Sequence, residues 1–210
     1  MRRRNLKDKS PTPIGSPNAI EGLSGLEALL KGQDGERAPP VEKWDPPYCG
    51  DIGMRIRADG VWLYQNSPIG RKPLVRLFSR VLRRDPDGRH FLVTPVEKVD
   101  VTVDDAPFLA VEMEIRGSGT EQTLLFRTNV DDVVVCGPDC PLRFAVESVS
   151  GGLKPYLRVR GRLEALLTRA LYYDLVDRAE VNGDHFGVWS GGSFFPMQSA
   201  AFVAAALDGA

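Results

Sequence analysis

Two glycine–arginine pairs combine residue type and spacing in a way that favours anion binding. Gly70-Arg71 and Gly161-Arg162 lie in the two halves of the chain, and each precedes an apolar run with helical spacing. The first N–H groups of a helix have no partner within the helix, and the helix dipole favours negative charge there. An arginine beside such a helix start adds charge-assisted bonds to a carboxylate or phosphate. The pattern predicts an anion site that includes Arg71, Lys72 and Arg162; the alternative is that they are surface residues or partners of carboxylates.

Aromatic and glycine-rich segments supply the other candidate binding residues. Trp62 and Tyr64 share one face of a predicted strand, where core packing and ligand stacking are both open. The segment GVWSGGSFFP (187–196) lacks the Lys-Ser/Thr and the helix of a phosphate-binding loop, so a tight hairpin is predicted. A glycine-rich turn still permits close approach of a ligand, and the residues predicted to border a pocket there are Trp189, Ser190 and Gly191.

The two histidines share the frame Asp/Asn-Gly-x-His-Phe-x-Val, at residues 87–93 and 182–188. The glycine is predicted to let the chain leave a helix and enter a strand whose Phe and Val face the core. No acidic residue lies at ligand spacing from His90 or His185, so structural or solvent-facing roles are predicted rather than a metal or catalytic pair. Cys136 and Cys140 are spaced like half of a zinc site but lack two further ligands; a turn with incidental thiols is predicted, with a thiol switch as the alternative. The sequence predicts no catalytic residue, metal or cofactor.

The composition is that of a soluble globular protein. The chain has 210 residues, of which 42% are hydrophobic and 26% charged, and a net charge of −1. No apolar run approaches the ~20 residues needed to span a bilayer. Three cysteines without framework spacing favour a reducing compartment, so the predicted location is the cytoplasm. Because the net charge is slightly negative and no strand carries an exposed aromatic pair, nucleic acid and membrane are not predicted partners.

Alternating strands and two helices are needed to position these residues. The run RKPLVRLFSRVLRR (71–84) predicts one helix, whose basic stripe is either a solvated face or matched to acidic strands. A second helix is predicted from Arg162, with an apolar face from Leu163 to Leu175. Strand, glycine–arginine pair, helix, turn and histidine frame recur in this order, which predicts an internal duplication. The predicted fold is α+β, with two similar modules of antiparallel sheet plus one helix at residues 20–95 and 96–198, a disordered basic arm at 1–19 and a tail at 199–210.

Six stretches together resemble a bacterial family named domain of unknown function 1285. They are WDPPYCGDIGMRI, SPIGRKPLVRLFSRVLRR, HFLVTPVEKV, VDDAPFLAVE, TNVDD and FGVWSGGSFFP, and the resemblance covers Trp44 to Met197. It implies a duplicated core, a carboxy-terminal half superficially like pleckstrin-homology domains, and a cleft between the halves that binds a nucleotide-like ligand in signalling. The resemblance implies no catalytic residue.

A non-enzymatic ligand-binding or regulatory protein is therefore the predicted function. Its ligand is an anionic, nucleotide-like small molecule in the cleft between the two modules. The anionic part of this prediction comes from the glycine–arginine pairs, and the nucleotide part comes from the family resemblance. Two alternatives stay open: an enzyme of unrecognised type acting on a phosphate-containing substrate, and a protein–protein adaptor.

Overall fold

The computed structural model describes residues 39–148 and 151–203 of the chain. These residues form two six-stranded sheets, each accompanied by a helix, and a third sheet of three strands. The two-domain α+β fold is therefore confirmed. The predicted arm at 1–19 and residues 204–210 of the predicted tail lie outside the described residues.

The first domain places one helix between the third and fourth strands of its sheet. Its elements are β1 (Tyr48–Ile56), β2 (Trp62–Tyr64), β3 (Ser67–Pro68), α1 (Lys72–Arg80), β4 (Leu82–Arg84), β5 (His90–Val93) and β6 (Lys98–Val103), preceded by a short 3-10 turn at Val41–Lys43. The strand order is β3-β2-β1-β6-β5-β4. All neighbours are antiparallel except the central pair, β1 and β6, which is parallel. The sheet thus continues beyond residue 95, where the sequence predicted the end of the first module.

The second domain repeats this strand order with a different placement of the helix. Its elements are β7 (Phe108–Arg116), β8 (Thr123–Thr128), β9 (Val133–Val135), β10 (Leu142–Val146), β11 (Leu153–Arg160), β12 (Leu163–Leu167) and α2 (Arg169–Val176), with a 3-10 turn at Gly119–Glu121. The order β10-β11-β12-β7-β8-β9 has one parallel pair, β7 with β12, at its centre. When the strands are numbered within each domain, both sheets read 3-2-1-6-5-4, which confirms the duplication. Here, however, the helix follows the sixth strand.

A three-stranded sheet follows α2 and packs on the second domain. It consists of β13 (Glu180–Asn182), β14 (His185–Ser190) and β15 (Ser193–Ser199). The buried Ser190 hydroxyl accepts a bond from the Leu124 N–H (2.9 Å) and donates one to the Cys136 carbonyl (2.7 Å). These two bonds fix the β14–β15 hairpin against β8.

The predicted second helix is wrong in its first turn and a half, because Leu163–Leu167 is strand β12. Gly161 has φ +51° and turns the chain between β11 and β12, so the glycine–arginine pair lies in a hairpin. Leu163, Ala165 and Leu167 are buried on one face of the strand. The leucines at 163, 166 and 167 also have the i, i+3, i+4 spacing of a helical face, so the same sequence fits both structures. The helix begins only at Arg169.

The first helix is shorter than predicted, since it ends at Arg80 and Leu82–Arg84 forms β4. Arg83 explains the change. Its buried guanidinium donates bonds to the carbonyls of Val41 (2.8 Å) and Trp44 (2.7 Å) and pairs with Asp85. In the strand, Arg83 satisfies buried carbonyl groups, whereas on a helix it would be exposed and would leave them without a partner. The strand conformation is therefore the more stable one.

Both histidine frames form hairpins rather than exits from a helix. Residues 84 and 90 pair across the β4–β5 turn, and residues 182 and 185 pair across the β13–β14 turn. Phe91, Val93 and Val188 are buried and Phe186 is half-buried, in agreement with the predicted core face, but Leu92 on the opposite face is buried as well. The first frame belongs to the first sheet and the second frame to the three-stranded sheet, so the frames are not equivalent parts of the duplication.

Candidate functional site

A cleft of about 280 Å³ lies where helix α1 of the first domain meets the second domain. Four aliphatic side chains form its apolar wall, namely Ile69, Val75, Val111 and Val130. Five polar or charged side chains complete the lining, namely Lys72, Arg76, Arg127, Asn129 and Asp131. Both domains therefore contribute to one basic concave surface.

Helix α1 contributes the cations of the first domain. Lys72 and Arg76 are four residues apart and so lie on one face of the helix. The opposite face packs into the core, where Phe78 stacks on Trp62 with ring centroids 6.2 Å apart. Lys72 forms no ion pair with any residue that the structure describes. The apolar packing of α1 thus leaves one unpaired ammonium group at the cleft.

The turn between β8 and β9 contributes the second wall. The Asn129 side-chain oxygen accepts a bond from the Leu109 N–H (3.0 Å), and its amide nitrogen lies 3.5 Å from the Gly60 carbonyl of the first domain. Asp131 has φ +66°, a conformation that Asp and Asn adopt more readily than most residues. Its N–H donates to the Thr128 carbonyl (2.9 Å). The turn is held by its own hydrogen bonds and contacts the first domain.

Asp131 joins two arginines that come from different domains. One of its carboxylate oxygens lies 2.7 Å from an Arg127 nitrogen, and the other forms an ion pair with Arg76. Arg127 also binds Glu112 through two nitrogens, and these hydrogen bonds raise the pKa of Arg127 and lower the pKa of Glu112. The side chains of Arg76, Asp131 and Arg127 are 53%, 41% and 36% exposed. Two arginines therefore bind one carboxylate inside the cleft, whose lining also includes Lys72, and solvent reaches all of these groups.

Arg160 of β11 ties this turn to the end of α1. One guanidinium nitrogen lies 2.7 Å from Asp132, the residue after Asp131, and another donates to the Ser79 carbonyl at the end of α1. The guanidinium also lies over the Phe108 ring, 5.2 Å from its centroid. A cation that binds the last carbonyls of a helix complements the helix dipole. The junction between the domains is thus hydrogen-bonded next to the cleft.

Of the residues predicted from the sequence, Lys72 lines the cleft. Arg71 immediately precedes α1 and is exposed. The prediction that Arg162 lies at a second helix start is wrong, because the β11–β12 hairpin turn places it on the surface before a strand. The two glycine–arginine pairs therefore do not form equivalent helix starts around one anion. Ligand binding by these arginines stays a prediction.

The predicted aromatic and glycine-rich residues range from buried to exposed. Trp62 is 1% exposed in the core of the first domain, and the Tyr64 hydroxyl accepts a bond from Gln65 (3.3 Å). Trp189 packs on Phe194 of its own hairpin (5.3 Å between centroids), and Ser190 makes the buried bonds described above. The Gly191 N–H donates to the Gln122 carbonyl (3.0 Å). The structure does not bring these residues together at one surface, and ligand binding by them stays a prediction.

Arg127, Asn129 and Asp131 were not predicted as site residues. Asn129 and Asp131 belong to the stretch Thr128-Asn-Val-Asp-Asp132, which has the composition of a turn and carries part of the family resemblance, and Arg127 is the residue before it. Nothing local in the sequence shows that this turn faces α1. That proximity comes from the packing of the two domains.

The histidines and cysteines lie outside the cleft. Burial, assisted by the charge of Arg84, lowers the pKa of His90 to about 4, so its ring is neutral at pH 7. Burial raises the pKa of Cys136 to about 12, and it also raises the pKa of Cys140. All three cysteines are free thiols. Within residues 39–148 and 151–203, no group of three or more His, Cys, Asp or Glu side chains is arranged to hold a metal ion.

The fold and the cleft define a two-domain α+β protein with duplicated sheets and a basic cleft at the domain junction. Comparison with known families gives matches to the amino-terminal domain of DUF1285, a domain of unknown function, at residues 39–106 and to the carboxy-terminal domain of the same family at residues 107–197. The chain therefore belongs to the DUF1285 family. The two matches meet between residues 106 and 107, just after β6.

Two solved structures of this family are similar to the chain. A DUF1285 family protein from Silicibacter pomeroyi DSS-3 is 46% identical, with a TM-score of 0.79, over 85% of this chain and 97% of that chain. A DUF1285 family protein from Shewanella baltica OS155 is 28% identical, with a TM-score of 0.47, over 60% of this chain and 92% of that chain. Comparison with curated proteins gives no match. The similarity of the second domain to pleckstrin-homology domains stays a prediction.

No helix among the described residues combines the length and the apolar character needed to cross a membrane.

Proposed function

We propose that this DUF1285 protein is a non-enzymatic regulatory protein of the cytoplasm that binds an anionic small molecule in the cleft between its domains, as part of signal transduction. The observation that carries the proposal is the convergence of Lys72 and Arg76 from one domain and Arg127 from the other on one cleft. Cations from two domains that line a water-accessible cavity attract an anion and can form charge-assisted hydrogen bonds with it from both domains.

The size and walls of the cleft limit the ligand. A volume of about 280 Å³ lies just below the usual range for ligand pockets, about 300–1,000 Å³. It suits a nucleoside monophosphate or a smaller phosphorylated metabolite. Among the described residues, those that line the cleft include no aromatic side chain, so recognition of a nucleotide would depend on its phosphate and sugar rather than on stacking of its base.

A regulatory role follows from the position of the cleft. A ligand held by both domains stabilises one arrangement of the junction in proportion to its affinity for that arrangement. The contacts beside the cleft, from Arg160 to Asp132 and to the end of α1, belong to that junction. Occupancy of the cleft would therefore be communicated to the relative placement of the two domains.

A thermal-shift titration with inorganic phosphate, AMP and GMP at constant ionic strength tests the proposal. We expect the wild-type melting temperature to rise with at least one of these probes, since a ligand at 100 times its Kd stabilises by about 2.7 kcal/mol. The double variant Lys72→Gln/Arg76→Gln should lose the shift. Arg162→Gln is the matched control, because Arg162 is an exposed arginine outside the cleft lining.

Three outcomes would contradict the proposal. A wild-type protein that responds to none of the three probes has no phosphate site of the proposed kind. Loss of the shift in Arg162→Gln but not in the double variant would move the site away from the cleft. Release of inorganic phosphate from AMP or GMP during the titration would favour the enzyme alternative over a binding protein.

A further inference from the structure

We infer that the Asp131 carboxylate occupies the position of the ligand's anionic group, and that the ligand is a phosphate monoester which displaces this carboxylate. The inference rests on the proposed function, because it concerns the same cleft. It adds the chemical class of the ligand and a built-in competitor for its site.

The contacts of Asp131 are those expected of a bound anion. Each of its two carboxylate oxygens takes a guanidinium, one from Arg127 at 2.7 Å and the other from Arg76. Carboxylate and phosphate oxygens bind arginine in this way in proteins generally. The two guanidinium groups come from different domains, and both line the cleft. An incoming anion would find its best donors already directed at one point.

The Asp131 side chain can leave this position without rearrangement of the fold. It is 41% exposed, and exposed ion pairs contribute about 1 kcal/mol or less. The backbone of the turn is fixed independently, by the Asp131 N–H bond to Thr128 (2.9 Å) and by the Asn129 bonds to Leu109. Rotation of one side chain into solvent therefore frees Arg76 and one guanidinium nitrogen of Arg127, whose other two nitrogens stay bonded to Glu112.

The charge balance favours a dianion over a monocarboxylate. Replacing Asp131 by a monocarboxylate exchanges one group for an equivalent one, with no net electrostatic gain. Lys72 lines the same cleft and forms no ion pair with a described residue. A phosphate monoester carries close to two negative charges at pH 7, so it can satisfy both arginines and also attract Lys72. The aliphatic wall is left for the organic part of the ester.

Asp131→Asn tests the inference with little risk to the fold, because asparagine adopts the positive φ of this position at least as readily as aspartate. Isothermal titration with inorganic phosphate and with acetate, at fixed ionic strength, is the measurement. We expect Asp131→Asn to bind phosphate about fivefold more tightly than the wild type, the factor that corresponds to loss of a competing exposed ion pair. Wild-type protein should bind acetate more weakly than phosphate.

Asp104→Asn is the matched control for net charge. Asp104 forms a similar exposed pair with Arg55 (2.8 Å), away from the cleft lining. The Asp104→Asn variant should bind phosphate with the same affinity as the wild type. Equal or weaker phosphate binding by Asp131→Asn would overturn the competitor role while leaving the proposed binding site in place. Acetate binding as tight as that of phosphate would overturn the ligand class. Absence of binding to any of the three proteins would overturn the proposed function itself and the inference with it.

Discussion

Single residues determine how the cleft is charged. Lys72, Arg76 and Arg127 bring three positive charges, of which Asp131 offsets one and Glu112, from the face of β7, offsets part of another. Each of these exposed pairs contributes about 1 kcal/mol or less to stability. As structural contacts alone, these ion pairs would add little to the free energy of unfolding. The same arginines can instead donate hydrogen bonds to an anion.

The partly buried His90 makes the free energy of unfolding depend on pH. Burial and the charge of Arg84 lower its folded-state pKa from 6.5 to about 4. The unfolded chain takes up the proton first, so this contribution to stability is complete above pH 6.5 and is lost as the pH falls toward 4, by at most about 1.4 kcal/mol per pH unit. We expect His90→Gln to flatten that decline in urea denaturation at successive pH values. His185 is exposed, so the control variant His185→Gln should keep the wild-type slope. If the His90 ring were solvated, His90→Gln would keep that slope as well.

The elements were predictable where one periodicity dominates. The antiparallel strands and helix α1 follow from alternation and from one apolar face. The segment Leu163–Leu167 was misassigned because its leucines fit both a helical face and an alternating strand. Gly161 decides between the two only through its positive φ, which the sequence does not display. The duplication was predicted correctly, but it resides in the strand order of the sheets rather than in the histidine frames that suggested it.

Gly187 shows how closely the strands of the β14–β15 hairpin approach. A Cβ atom there would lie 2.3 Å from the Phe195 carbonyl oxygen, which belongs to the backbone of the paired strand. Such a clash is relieved only by moving a strand, so we expect Gly187→Ala to lower the free energy of unfolding by about 2–3 kcal/mol. Gly70→Ala is the control, since a Cβ at that position meets no atom within 4 Å. Equal stabilities of the two variants in urea would show that the hairpin strands are more widely spaced.

At the scale of the whole molecule, the candidate site exists only because two similar domains pack against each other. Lys72 and Arg76 could be recognised as a basic face of α1 from the sequence alone. Their counterparts Arg127, Asn129 and Asp131 could not, since contact between a helix and a turn more than fifty residues later depends on the junction. Asn129 to Gly60 (3.5 Å) and Arg160 to Ser79 are among the contacts between the domains, beside a hydrophobic core that includes residues of both. A site between domains is thus a property of their packing.

Arg160 bonds across the domain junction, from β11 of the second domain to the Ser79 carbonyl of the first. We expect Arg160→Ala to lower the free energy of unfolding by about 2 kcal/mol, because it leaves Asp132 and the Ser79 carbonyl without their partner at a half-buried position. Weaker coupling should also broaden or split the unfolding transition, as domains that no longer stabilise each other unfold separately. Calorimetry measures both effects, and tryptophan fluorescence follows the same transitions through Trp44 and Trp62 of the first domain and Trp189 of the three-stranded sheet.

Arg158→Ala is the matched control, since Arg158 lies two residues earlier on the same strand and is exposed. It should unfold in one transition close to that of the wild type. If both variants kept a single sharp transition, the domains would be coupled by the apolar core rather than by the guanidinium of Arg160.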